Sequence, residues 1–189
     1  MAVQLLRHRF TIEEYHRMGQ AGILAEDARV ELIEGEVVEM VPIGSHHAAC
    51  VARLTHVFTL SLGNRVIVWV QSPVRLVPHS EPQPDLTLLR ARPDFYAKAH
   101  PGPEDVLLLV EVADTTADLD RNVKVPLYAQ ARIPEVWLVD LTGECIEVFR
   151  RPTPQGYRDI SQARRGQRLT LEAFPNLNLP ADDLLGPAD

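Results

Sequence analysis

The fold is decided by one stretch of the chain, Val106-Leu107-Leu108-Leu109-Val110-Glu111-Val112-Ala113. Its length and its aliphatic, partly β-branched composition predict a central strand that is buried on both faces. Glu111 lies inside this run. A buried carboxylate without a partner is costly, so Glu111 is expected to hold a cation, a metal ion or a proton. The alternative is that the strand ends there and Glu111 enters solvent.

A second carboxylate, Asp85, stands just before another apolar run, which lies upstream of the first. Asp85 follows Pro84, a residue suited to the start of a strand, and it is followed by Leu86-Thr87-Leu88-Leu89. If the two runs are neighbouring strands, Asp85 and Glu111 meet at one edge of the sheet. Two close carboxylates resist joint ionisation unless a cation joins them, and hard oxygen ligands suit Mg²⁺ or Mn²⁺. The pair therefore predicts a divalent metal site.

These residues resemble the PD-(D/E)xK motif of metal-dependent nucleases. Pro84-Asp85 matches its first part and Glu111-Val112-Ala113 its second, with Ala113 where that motif has lysine. The surrounding sequence is similar to the bacterial Uma-type restriction endonuclease family, a branch of the same superfamily, over roughly residues 10 to 185. The matching residues are Val30-Glu31-Leu32-Ile33-Glu34-Gly35-Glu36, Asp114-Thr115-Thr116, Asp120, Lys124, Tyr128-Ala129 and Pro134-Glu135-Val136-Trp137-Leu138-Val139-Asp140.

The resemblance implies hydrolysis of nucleic-acid phosphodiester bonds, with DNA as the expected substrate. In such a nuclease, Asp85 and Glu111 ligate one or two Mg²⁺ ions, and the backbone carbonyl of Val112 is a further ligand. The family's lysine has moved from the strand to the following helix, and Lys124 matches that place. It would orient the attacking water or hold a phosphate oxygen. The resemblance also implies a homodimer, the commonest assembly of soluble proteins.

Glu31 and Asp120 are supporting candidates for the same site. Glu31 points away from its neighbours Val30 and Leu32 in a predicted strand, so it either faces the site or belongs to a solvated surface. Asp120 stands one helical turn before Lys124 and is expected either to line the site or to form an exposed pair with that lysine.

His47 and Gln71 complete the set of candidates. His47 lies in the first turn of a predicted helix, where it is expected to be a polar residue at the helix mouth or to contact a phosphate. A zinc site is not expected, because no second ligand cluster has suitable spacing. Gln71 stands in a predicted strand and either faces the site or is an ordinary residue at the strand edge.

Composition limits the possible functions. The chain has 189 residues, which favours one domain over residues 1–189 with an irregular tail at residues 1–9. Its 19 basic and 26 acidic residues give a net charge of −7, which argues against a broad surface that coats nucleic acid but permits a local groove. Cys50 and Cys145 show no metal-ligand or disulfide pattern. No signal peptide or membrane span is evident, so a cytoplasmic location is expected.

The predicted fold class is α/β: a restriction-endonuclease-like core, a mixed sheet flanked by helices, with accessory β-hairpins at both ends. A capping box at Thr11–Glu14 opens the first helix. The helix after the Glu111 strand, residues 117–131, must kink or restart near Pro126. The other predicted elements are a hairpin at 29–33 and 36–41, a helix from N-cap Ser45 to Leu62, a bent strand at 65–77, a hairpin at 135–141 and 145–150, strands at 157–160 and 168–171, and a helix at 181–185.

Two other functions remain open from the sequence. The chain could be a binding or interaction module that kept the nuclease fold without catalysis, as the negative charge and the displaced lysine favour. It could also be a metal-dependent hydrolase of another phosphate ester.

Overall fold

A computed structural model describes residues 7–76, 78–114 and 117–187. Its centre is a six-stranded sheet with the strand order β3-β4-β5-β6-β7-β8. The strands are β3 (Val66–Val70), β4 (Leu86–Arg90), β5 (Val106–Ala113), β6 (Glu135–Asp140), β7 (Cys145–Thr153) and β8 (Gly156–Arg164). The pair β5–β6 is parallel and the other neighbouring pairs are antiparallel. The sheet is therefore mixed, as predicted.

The apolar run forms β5, which lies between β4 and β6. A parallel pair needs a crossover connection, because the chain must return to the end of the sheet where β5 began. That connection contains α3 (Ala117–Leu119), a π-helical turn (Asp120–Lys124) and α4 (Val125–Gln130). Pro126 lies in the first turn of α4, so the helix restarts there as the sequence predicts.

Helices cover both faces of the sheet. Side chains of α2 (Ser45–Leu62) and α5 (Ala181–Leu185) pack against one face, where Phe58 contacts Trp137 at a ring-centroid distance of 6.0 Å. Side chains of α4, including Leu127 and Tyr128, pack against the other face. Because successive residues of a strand point to opposite faces, β5 contributes to both cores and Glu111 lies on the side that contains Tyr128.

A short hairpin, β1 (Val30–Ile33) and β2 (Glu36–Glu39), stands near the N-terminus after α1 (Ile12–Gln20). Its turn is Glu34-Gly35, and both residues have positive φ, 48° and 84°, as two-residue hairpin turns require. A Cβ atom at Gly35 would lie 2.6 Å from Cβ of Arg9. Glycine is therefore needed here for both the backbone conformation and the close approach of the chain.

A second hairpin, β9 (Arg168–Leu171) and β10 (Phe174–Pro180), follows the sheet. The fully buried carboxylate of Glu135 joins it to β6 and β7. Glu135 accepts hydrogen bonds from Trp137 Nε1 at 2.8 Å, Arg150 Nη2 at 2.7 Å and the backbone N–H of Glu172 at 2.7 Å. A buried charge with this many donors is well compensated and serves the fold.

Several predicted elements differ from those observed. The bent strand predicted at 65–77 ends at Val70, because its partner β4 begins only at Leu86; Val77 itself lies outside the described residues. Ser45 is the first residue of α2 and not its N-cap, a place taken by Gly44. The strand predicted at 157–160 is the longer β8, and β10 was not predicted at all.

Other predicted elements match closely. The capping box of Thr11 and Glu14 is present at the start of α1, and Gly63 ends α2. Of the tail predicted at residues 1–9, residues 1–6 lie outside the described residues, and residues 7–9 are irregular. Within the described ranges, no helix has the length and apolar character needed to cross a lipid bilayer.

Candidate active site

Asp85 lies at the end of β4 that adjoins the second half of β5. Leu86 is paired with Val110, so Asp85 stands beside the segment Glu111–Val112. Its Oδ2 atom accepts a hydrogen bond of 2.8 Å from the backbone N–H of Val112. The sheet register therefore places the first predicted carboxylate next to the strand that carries the second.

Glu111 is almost completely buried, with 2% of its surface exposed. Its Oε1 atom accepts a hydrogen bond of 2.5 Å from the hydroxyl of Tyr128. Burial raises the pKa of the Glu111 carboxyl well above its usual range; Lys124 opposes this shift, while the nearby charges of Asp85 and Asp120 add to it. The ionised form of Glu111 therefore depends on positive charge close by.

Lys124 supplies positive charge to two carboxylates. Its Nζ atom lies 3.1 Å from Oε1 of Glu31 and 3.4 Å from Oε1 of Glu111, and its side chain is 12% exposed. Burial alone would lower the pKa of Lys124, but Glu111, Glu31 and Asp120 outweigh this effect and raise it. The lysine is thus charged and lies among the carboxylates, not in an exposed pair with Asp120.

The π-helical turn determines where Lys124 lies. The backbone N–H of Val125 donates to the carbonyl of Asp120, five residues earlier, which adds one residue to the turn. Pro126 follows directly and has no N–H to continue an α-helical ladder. Such π-helical turns are frequent at functional sites.

Glu31 connects the first hairpin to this cluster. While Oε1 contacts Lys124, Oε2 accepts a hydrogen bond of 3.0 Å from the backbone N–H of Gln83. The side chain of Gln83 in turn donates to the carbonyl of Val30 at 3.1 Å. Of the two possibilities left by the sequence, a solvated surface is wrong for Glu31, because the residue is buried.

His47 and Gln71 reach Asp85 from two other elements. Nε2 of His47, in the first turn of α2, lies 3.0 Å from Oδ2 of Asp85, and this hydrogen bond raises the pKa of His47 against the opposing effect of burial. Gln71, directly after β3, donates its backbone N–H to the carbonyl of Asp85 at 3.1 Å. The φ angle of Gln71 is 43°, which is uncommon for a residue other than glycine.

A cleft with a volume of about 270 Å³ opens above these side chains. It lies between the β1–β2 hairpin, the segment that leads to α2, and the start of the crossover. The predicted residues that line it are Glu31, His47, Gln71, Asp85, Val112, Asp120 and Lys124. Glu111 is absent from the lining and lies behind it. Tyr128, which holds Glu111, could have been found from the sequence by its helical spacing from Lys124.

The combined negative charge of the carboxylates in this cluster suits a hard divalent cation. Glu31, Asp85, Glu111 and Asp120 lie near the basic side chains of Lys124 and His47, so acidic groups outnumber basic ones in this cluster. Burial is the main cause of the raised pKa of Glu111, and the charges of Asp85 and Asp120 add to it. Oδ1 of Asp85 and Oε2 of Glu111 accept no hydrogen bond from any described residue, and carboxylate oxygens of this kind are the ligands that Mg²⁺ prefers. No group of three or more His, Cys, Asp or Glu side chains is arranged as a metal site among the described residues.

The mixed sheet flanked by helices has a restriction-endonuclease-like fold. The family model described as "Putative restriction endonuclease", Uma2, matches residues 12–182, and the chain therefore belongs to the Uma2 family.

A solved structure agrees with this assignment in fold. It is described as a "putative nuclease" belonging to DUF820 from Anabaena variabilis ATCC 29413, with a TM-score of 0.69 and 13% identity, over 93% of this chain and 97% of the other. No protein with a curated description matches the chain. The predicted family and fold class are thus confirmed.

Proposed function

We propose that this protein is a metal-dependent endonuclease that hydrolyses phosphodiester bonds of nucleic acid, with DNA as the expected substrate. The observation that carries the proposal is the position of Lys124 Nζ, 3.4 Å from Glu111, in a cleft that Asp85 also lines. The description of the Uma2 family supports the same reaction.

Asp85 and Glu111 are the proposed ligands of Mg²⁺ or Mn²⁺, together with the backbone carbonyl of Val112. When bound, the cation supplies activation of water and neutralises charge that develops on the phosphate. The N–H of Val112 and the ring of His47 hold Oδ2 of Asp85, and Tyr128 holds Oε1 of Glu111. One oxygen of each carboxylate is thus fixed while the other remains available.

Lys124 is proposed to orient the attacking water or to contact a phosphate oxygen. Its ammonium is held between Glu31 and Glu111. Glu31 therefore acts as a positioning residue, and Asp120 contributes negative charge to the same cleft. Ala113 has no positively charged side chain, so Lys124 is proposed to take the role of the motif's lysine in this chain.

The proposal is tested by cleavage of plasmid DNA and labelled oligonucleotides with Mg²⁺ or Mn²⁺, repeated with EDTA. Cleavage should require the metal and should be lost in Asp85→Asn, which keeps the size of the side chain. Asp183→Asn is the matched control, because Asp183 is exposed on α5 and makes no ion pair with a described residue. Absence of metal-dependent cleavage of any nucleic acid by the folded protein would overturn the proposal.

The competing function is a binding module without catalysis, and the net charge together with the full pairing of Lys124 favours it. In that case oligonucleotide or protein binding would persist in the presence of metal with no cleavage, and Asp85→Asn would bind as the wild type does.

We also propose a single domain over residues 1–189, a cytoplasmic location and a homodimer. The described hairpins pack on the core of this chain, for example through Leu171 and Leu179, so they give no separate reason to expect a dimer. The dimer is proposed from the family resemblance and from the frequency of two-fold assemblies. Light scattering at micromolar concentration separates a dimer from a monomer of 21.2 kDa. One cooperative unfolding transition is expected for one domain.

A further inference from the structure

Three of the apolar side chains that line the cleft face solvent. Val41 and Ile43, in the segment before α2, are 56% and 39% exposed, and Leu119 in α3 is 49% exposed. All three side chains line the cleft. Large apolar side chains that are exposed together around a cavity mark a surface that contacts a ligand, whereas single exposed ones need no explanation.

Two polar side chains of the same cleft have no partner among the described residues. The guanidinium of Arg29 and the side-chain amide of Gln71 line the cleft, and neither forms a hydrogen bond or ion pair there. The backbone of Gln71 is held at a φ of 43°, and strained residues at a cleft are a reason to suspect a binding role. Both groups are therefore available to a ligand.

The charge of the cleft lining does not favour a long run of phosphates. Its acidic lining residues are Glu31, Glu39, Asp85, Asp114 and Asp120, and its basic lining residues are Arg29 and Lys124. Lys124 is already paired with two carboxylates. Arg29 is thus the one unpaired lysine or arginine among the described residues of the lining. Duplex binding depends on many phosphate contacts, and this cleft offers few.

The size of the cleft agrees with a small occupant. Its volume of about 270 Å³ lies just below the usual range for small-molecule sites. A cleft of this size suits one small ligand, such as a single nucleotide. An apolar surface beside polar groups matches a nucleotide, whose base has an apolar face and whose phosphate carries charge.

We propose that the cleft binds one unpaired nucleotide of a nucleic-acid strand, with its base against Val41, Ile43 and Leu119. Arg29 contacts a flanking phosphate and Gln71 contacts the edge of the base or the sugar. The substrate of the proposed nuclease is then a single strand, or the unpaired part of a flap or gap, because a paired base must first leave its stack. This inference rests on the proposed function for the cleavage step but not for the binding step.

The test compares substrates that differ only in pairing. A labelled single-stranded DNA, the same sequence as RNA, its DNA duplex and a duplex with a single-stranded flap are each offered to the full-length protein. Binding is measured by fluorescence anisotropy in EDTA, and cleavage is measured with Mn²⁺. The unpaired substrates should bind about tenfold more tightly than the duplex, and cuts should fall within the flap. The RNA arm shows which kind of strand is preferred.

The outcomes separate the two proposals. Duplex binding equal to or tighter than single-strand binding overturns the inference, while duplex cleavage in that case still supports the nuclease. Preferential binding of single strands without any cleavage supports the inference and overturns the nuclease. Failure to bind any single strand in EDTA or with Mn²⁺ overturns the inference.

Substitution of an apolar side chain that lines the cleft provides a second test of single-strand binding. Leu119→Ser should weaken single-strand binding about tenfold, as expected from losing the apolar surface of one leucine that the base would cover. Leu60→Ser is the matched control, because Leu60 is 72% exposed on α2 and does not line the cleft. Equal single-strand binding by the two variants would contradict the proposal. It would also be contradicted if Leu119→Ser bound single strands as the wild type does and lost only self-association, measured by light scattering.

Arg29 is tested by the salt dependence of binding. One phosphate contact to a single strand contributes a slope of about −0.7 in a plot of log K against log salt, so Arg29→Ala should flatten the slope by about that amount. Arg158→Ala is the control, since Arg158 is exposed on β8 and has no ion pair with a described residue. An unchanged slope in Arg29→Ala would remove this arginine from the site.

Discussion

Lys124 Nζ lies 3.1 Å from Oε1 of Glu31, which joins the crossover helix to the N-terminal hairpin. The other oxygen of Glu31 accepts the N–H of Gln83, just before Asp85. One buried carboxylate thus connects segments that are distant in sequence, and the position of the proposed catalytic lysine depends on a hairpin outside the central sheet.

Glu31→Gln should reduce both stability and activity. The amide oxygen can still accept from Gln83 or from Lys124, but its NH₂ group cannot replace the second acceptor. One buried donor then loses its partner, at a cost of about 1–3 kcal/mol in the free energy of unfolding. Urea denaturation measures this cost, and Glu26→Gln is the control, because Glu26 is exposed and does not line the cleft. Equal unfolding midpoints for the two variants would show that the Lys124–Glu31 contact is unimportant.

Lys124→Met should lower the rate of cleavage about a hundredfold, the usual effect of removing one group that stabilises charge in a transition state. Methionine keeps an apolar stem of similar length, so packing against the sheet is retained. The measurement is single-turnover cleavage of a labelled oligonucleotide with Mn²⁺, with near-UV circular dichroism to show that the variant is folded. Cleavage at the wild-type rate would assign Lys124 a purely structural role.

Elements with a strong local pattern were predictable from the sequence. The apolar run gave β5, and the helical spacing of Val51, Leu54, Phe58 and Leu62 gave α2 with its end at Gly63. Partner-dependent features were not. The length of β3 is limited by its ladder with β4. β10 contains Pro175 and Pro180, which disfavour a strand in the sequence, and it is held by pairing with β9, for example between Leu179 and Leu169.

The candidate site shows the same division. The positions of Asp85, Glu111 and Lys124 along the chain were visible as short patterns. The contact between Lys124 and Glu31 was not, because it depends on a π-helical turn that adds one residue and on the path of a distant hairpin. The hydrogen bond from Tyr128 to Glu111 likewise requires the packing of α4 on the sheet. Arg29 has no local signal at all.

Binding of a divalent cation should stabilise the fold. The carboxylates of Asp85, Glu111 and Asp120 repel one another in the absence of the ion, and a ligand that binds only the folded state raises its stability. A cation at about 100 times its Kd adds about 2.7 kcal/mol, or about 5–10 °C in the melting temperature. Differential scanning fluorimetry with Mn²⁺ and with EDTA measures the shift. Asp85→Asn should abolish it and Asp183→Asn should keep it; an equal shift in all three proteins would place the ion elsewhere.

Tyr128→Phe should separate stability from function when it is compared with Tyr157→Phe. Both hydroxyls are donors in buried hydrogen bonds, Tyr128 to Oε1 of Glu111 at 2.5 Å and Tyr157 to the carbonyl of Ile133 at 2.8 Å. Either change removes one buried hydrogen bond, so each should cost about 1–3 kcal/mol in the free energy of unfolding.

Only Tyr128 holds a carboxylate of the proposed metal site, and loss of an outer-shell partner of a metal ligand typically changes metal affinity by about 10- to 100-fold. Titration calorimetry with Mn²⁺ should therefore show weaker binding in Tyr128→Phe and wild-type binding in Tyr157→Phe. If both variants bind Mn²⁺ equally well, Tyr128 does not position Glu111 for a metal ion, and its hydrogen bond serves the fold alone.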